Sequence, residues 1–133
     1  MKLREQARTL LEKADQDLFV LDKLLADPAS PAEAIGFNAQ QAAEKLLKAA
    51  LVAAGVGYPK THRLAQLLDL LADGGVVLPP GLDELRILTP FAVDFRYDMY
   101  VPDEEEPFDW PEIRRLLKDL RGWMRGRLLG NGA

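Results

Sequence analysis

Apolar residues recur along the first segment at Leu3, Ala7, Leu10, Ala14, Leu18, Leu21 and Leu25, in steps of three and four. That period predicts a helix with one buried stripe, stopped by Asp27-Pro28-Ala29. Ser30-Pro31-Ala32-Glu33 has the form of a capping box, with Ser30 as N-cap, Pro31 in the first turn and Glu33 reaching back. The helix it opens runs to about Ala54 and ends at Gly55, an expected C-cap glycine. Ala39, Ala42, Ala43, Ala49, Ala50 and Ala53 let neighbours approach this second helix closely, which marks it as a central one.

Thr61 is the predicted N-cap of a short third helix that turns Leu64, Leu67, Leu68 and Leu71 inward and stops at Asp73-Gly74-Gly75. A fourth helix is expected from near Leu82 to about Tyr97, kinked or restarted by Pro90. Residues 98–108 read as a proline-bounded acidic loop. Asp109-Trp110-Pro111-Glu112 is a second capping box, opening a fifth helix that buries Ile113, Leu116, Leu117, Leu120 and Met124. Residues 130–133 form a frayed tail. No segment alternates with period two for long enough to be a strand; Val76-Val77-Leu78 is too short. The pattern predicts an all-α, antiparallel four- to five-helix up-and-down bundle filling one domain, 1–133.

Composition narrows the chemistry. A chain of 133 residues buries enough surface to fold without a disulfide or a metal. The absence of cysteine removes thiol nucleophiles and sulfur-ligated zinc, and a single histidine, His62, excludes an all-histidine metal site within one chain. No metal and no cofactor is expected. Met1-Lys2-Leu3-Arg4-Glu5 leads straight into a charged amphipathic pattern, and the apolar run from Ala49 to Val56 is far short of the roughly 20 residues of a membrane span. The expectation is a cytoplasmic protein with no membrane contact. A net charge of −4 argues mildly against a dedicated nucleic-acid binder, although the charge is unevenly placed. Acids concentrate at Asp98, Asp103, Glu104, Glu105, Glu106 and Asp109, and bases follow at Arg114, Arg115, Lys118, Arg121, Arg125 and Arg127.

Several polar groupings are candidates for binding. Asn38, Gln41, Lys45 and Lys48 share one face of the second helix, with Glu44 spaced to pair with Lys48. Such a face either donates to a phosphate or base, or is a solvated face held by ion pairs. Arg96 offers bidentate phosphate contact and Tyr97 a stacking surface; the alternative is an arginine neutralising the last carbonyls of its helix. His62 is expected in the first turn of the third helix, where capping is the commoner role. Arg114, Lys118, Arg121 and Arg125 repeat on one face of the fifth helix, fitted either to RNA or an acidic partner or simply to solvent. Glu104-Glu105-Glu106 reads as a solvated loop.

The stretch from Phe37-Asn38-Ala39-Gln40-Gln41 through Ala42-Ala43-Glu44-Lys45-Leu46-Leu47-Lys48 to Leu51 resembles the signature helix of HEPN domains. Lys60-Thr61-His62-Arg63-Leu64 resembles the family's next landmark, and Arg96-Tyr97 the pair that closes its fourth helix, with Asp98 where a proline is common. The resemblance implies a four- to five-helix bundle, a homodimer, a nucleotide or RNA ligand, and a minimal nucleotidyltransferase as protein partner in a toxin–antitoxin-like pair. Family ribonucleases carry an arginine and a histidine separated by four to six intervening residues. Here Val101, Pro102 and Asp103 stand at that spacing. Metal-independent cleavage needs a group that titrates near neutrality to take the 2′-hydroxyl proton. The expectation is therefore a binding or regulatory module rather than an enzyme, with Arg96, Tyr97, Gln41, Lys45, Lys48 and His62 as ligand-binding residues and no catalytic residue. An atypical ribonuclease using Arg96 without the usual histidine, and a purely structural interaction module, are the alternatives.

Overall fold

The first apolar stripe folds as helix α1, Lys2–Ala26, and buries Ala7, Leu11, Ala14, Leu18 and Leu21. Leu11 rather than Leu10 centres that stripe, and Leu3 stays about half exposed at the frayed start. The computed structural model describes residues 2–92 and 108–130. Arg96, Tyr97 and the acidic stretch as far as Pro107 lie outside the described residues, as do residues 131–133.

Helix α2, Ala32–Ala53, packs against every other helical element. Nothing from Ala34 to Val52 is exposed, as the alanine content predicted for a central helix. Its start differs from the expected capping box. Asp27 Oδ1 accepts from the Ala29 amide at 2.9 Å and the Asp27 carbonyl from the Ser30 amide at 3.0 Å. That turn commits Ser30 before the helix begins. Pro31 becomes the N-cap in extended conformation, and its carbonyl takes the amides of Ala34 and Ile35. The far end follows expectation: Gly55 adopts φ +74°, its amide reaches Val52 and that of Val56 reaches Leu51, a Schellman closure that needs left-handed backbone.

Helix α3, Leu64–Asp73, buries the four predicted leucines. Thr61 does not cap it. Its hydroxyl accepts from the Arg63 amide at 3.1 Å within the preceding loop, while the first amide of α3, Leu64, donates to Thr89 Oγ1 at 3.2 Å. His62 accordingly precedes the helix instead of lying in its first turn.

The segment read as a fourth α-helix is a 3-10 helix, Leu82–Phe91, with Pro90 inside it. Its buried residues Leu82, Leu85, Leu88 and Phe91 are spaced by three throughout, which suits three residues per turn better than 3.6. Helix α4, Trp110–Gly130, starts where Asp109 Oδ1 accepts the Glu112 amide at 3.1 Å, and it buries the five predicted residues. Arg114 pairs with Asp22 and Arg121 with Asp15, so α4 runs antiparallel to α1. Five helical elements and no strand occur among the described residues. None of these helices is long and apolar enough to cross a membrane.

Candidate ligand-binding site on the central helix

One polar cluster interrupts the apolar packing of α2. The 3.6-residue period sets Gln40 in line with Gly36, Leu47 and Leu51, in the buried arc of the helix, and Glu44 follows one turn later. Both are buried, Gln40 completely. Their polar atoms are satisfied from three directions. Gln40 Nε2 donates to Glu44 Oε1 and to the His62 carbonyl, each at 3.1 Å, and Gln40 Oε1 accepts from Gln41 Nε2 at 2.7 Å. Glu44 also faces His62 Nδ1 at 2.8 Å and accepts from Lys48 Nζ at 3.1 Å. No described buried side-chain polar atom is left without a partner.

The electrostatics follow from that geometry. Burial alone raises the Glu44 carboxyl, but hydrogen bonds from His62, Gln40 and Lys48, with the Lys48 charge, outweigh it and hold the group below its ordinary 4.5. Glu44 is therefore ionised and can only accept. His62 Nδ1 must carry the proton between them, which turns Nε2 away from the carboxylate. The His62 side chain is 35% exposed, so this oriented ring reaches the surface.

The loop that delivers His62 runs back along α2 from Gly55, then reverses into α3. Tyr58 on this loop lies 5.5 Å from the Lys48 ammonium, ring centroid to nitrogen. Lys48 is thus shared between a carboxylate and an aromatic face.

The expected binding face of α2 divides. Gln41, Lys48 and His62 converge on the Glu44 cluster. Lys45 turns to α1 and pairs with Asp17, with both side chains mostly buried, and Asn38 donates back to the Ala34 carbonyl at 3.0 Å. The solvated-face alternative does not describe this stretch of the helix, since from Asn38 to Lys48 its polar residues are paired and none is exposed. At the start of α2 a Cβ on Gly36 would stand 2.3 Å from the Phe91 ring. Phe91 in turn meets Phe108 at 5.2 Å and Trp110 at 5.9 Å between centroids. Phe91, Phe108 and Trp110 thus form one aromatic cluster, with Phe91 packed over Gly36.

The family model for the HEPN domain matches residues 7–121. The chain belongs to the HEPN domain family. No curated protein and no solved structure gives a significant match. In this HEPN chain the match spans α1, α2, α3, the 3-10 segment and most of α4, so the whole Glu44 cluster lies within it.

Gln40 is the residue that the sequence did not single out, and Glu44 was read only as a partner of Lys48. Their signal is positional: both fall among alanines and leucines where a solvated side chain has no room. The α4 cations resolve differently. Arg114 holds Asp22 through contacts of 2.6 and 3.0 Å, and Arg121 holds Asp15 through 2.7 and 2.9 Å. Arg115 bridges Glu112 and Asp119 within its own helix.

Proposed function

We propose that this HEPN domain is a binding and regulatory module for nucleotide or nucleic-acid phosphate, acting as a homodimer and as partner of a minimal nucleotidyltransferase in a toxin–antitoxin-like pair. The observation that carries the binding reading is the Glu44 cluster. An ionised carboxylate buried in the central helix orients a surface-reaching imidazole beside a lysine, and perturbed groups of this kind concentrate at functional sites. Arg96 and Tyr97 would supply the guanidinium fork and the stacking ring. Lys48 and His62 extend the site, and Gln41 supports it through Gln40. Lys45, tied to Asp17, contributes less.

Calorimetric or NMR titration of ATP, GTP and a short RNA against wild type, Arg96→Ala and Tyr97→Ala tests this reading. Binding at sub-millimolar affinity that both variants weaken is expected. No binding at millimolar ligand, or unchanged binding in both variants, overturns it. Light scattering should report twice the 14.8 kDa chain mass at micromolar concentration.

A second reading, acid–base chemistry on RNA, is favoured by one observation: Glu44 holds Nδ1 of the sole histidine, whose side chain is partly exposed. RNA cleavage that disappears in both Arg96→Ala and His62→Ala would replace the binding reading. Absence of cleavage by the purified chain is the expected result.

A further inference from the structure

Lys2, Glu5, Gln6 and Thr9 lie at helical spacing and turn one polar face of α1 into a groove of about 730 Å³. Leu10 and Val52 give the groove apolar walls, and Tyr58 borders it from the loop after α2. Its volume falls within the roughly 300–1,000 Å³ range of small-molecule sites. Tyr58, which borders the groove, also carries the Lys48 ammonium of the Glu44 cluster 5.5 Å from its ring centroid. An aromatic ring, two aliphatic walls, neutral hydrogen-bonding groups, one acid and a cation do not suit a bare anion or a purely apolar molecule. They suit a flat heterocycle joined to a hydroxylated, anionic group.

We propose that this groove binds a nucleoside monophosphate, the base against Tyr58, Leu10 and Val52, the sugar hydroxyls on Glu5, Gln6 and Thr9, and the phosphate on Lys2. The inference rests on the nucleotide-binding reading above and names both the ligand class and a place apart from Arg96 and Tyr97. Tyr58 supplies stacking that tolerates any base. Glu5 repels a free phosphate yet accepts from a vicinal diol, so it favours the nucleotide over the inorganic ion. Lys48 uses one of its three donors on Glu44 and adds positive potential beside the ring.

The test is a ¹⁵N–¹H NMR titration of the full chain with AMP, adenosine and inorganic phosphate. AMP should perturb residues 2–10, Val52 and Tyr58 saturably, more strongly than adenosine, while phosphate alone does little. Gln6 and Thr9 are exposed, so the double variant Gln6→Ala/Thr9→Ala leaves folding intact, and Tyr58→Leu keeps an apolar side chain against the core. Each should weaken the AMP response of the groove residues about tenfold or more. AMP binding that survives both groove variants and is lost in Arg96→Ala overturns the groove and leaves the nucleotide reading standing. No saturable response to AMP, ATP or RNA in any variant overturns both.

Discussion

Two stripes of charged residues, one on α2 and one on α4, look alike along the chain and differ in what they do. On α4, Arg114 and Arg121 reach across to Asp22 and Asp15 in a clasp that is partly open to solvent. On α2, Glu44 and Gln40 sit inside the bundle and gather Gln41, Lys48 and His62 around them. Exposed pairs in high dielectric contribute little, because water competes for both charges. Buried ones leave an uncompensated group when a partner is removed. The same residue types therefore fasten two helices in one place and specify a surface-reaching site in the other.

The sharpest way to break this contrast is Glu44→Ala. It removes one acceptor of Gln40 and the shared partner of Lys48 and His62, so a loss of about 3 kcal/mol in urea denaturation is expected, the low end for buried ion pairs because Lys48 and His62 are partly exposed. A loss below 1 kcal/mol would make the two stripes equivalent. Gly36→Ala probes the close packing of Phe91 on the start of α2. Phe91 is buried against Phe108 and Trp110, so the added methyl cannot be accommodated freely, and a cost of about 1–3 kcal/mol is expected. Arg121→Ala, by contrast, should cost at most about 1 kcal/mol, and less as salt is added.

Acid titration separates the stripes by a different route. The folded Glu44 carboxyl lies below its ordinary 4.5, so its contribution is fully present above that value and is lost as pH falls through the depressed folded value. The Arg114 hydrogen bond depresses Asp22 as well, so wild-type stability should decline in the same acid range from both stripes. Glu44→Gln should be less stable at neutral pH and show a flatter decline below about pH 4.5 than wild type. An unchanged slope would remove Glu44 from the account.

Much of the fold was legible because it rests on local periodicity. The α4 core from Ile113 to Met124, the leucines of α3 and the alanine-rich centre of α2 all follow from steps of three and four. Gly55 was legible because only a left-handed residue closes that helix end. The 3-10 segment was hidden by an α-helical assumption, although Leu82, Leu85, Leu88 and Phe91 never use a step of four. The site was less legible than the fold. His62 meets Glu44 across eighteen positions, and Arg121 meets Asp15 across 106, so no local pattern announces either pair. Lys48 looked like a helix-surface partner of Glu44 and is one, yet the pair is mostly buried because the returning loop covers it.

The central claim is that Glu44 organises His62, and the protonation pattern of that ring tests it most directly. Long-range ¹H–¹⁵N NMR at mildly alkaline pH distinguishes the two neutral tautomers of an imidazole. An ionised Glu44 that can only accept requires the proton on Nδ1, whereas an unconstrained histidine in water favours Nε2. The account predicts the Nδ1–H tautomer in the wild-type chain. A spectrum showing Nε2–H as the main form would mean that the Glu44–His62 contact does not govern the ring, and would contradict it.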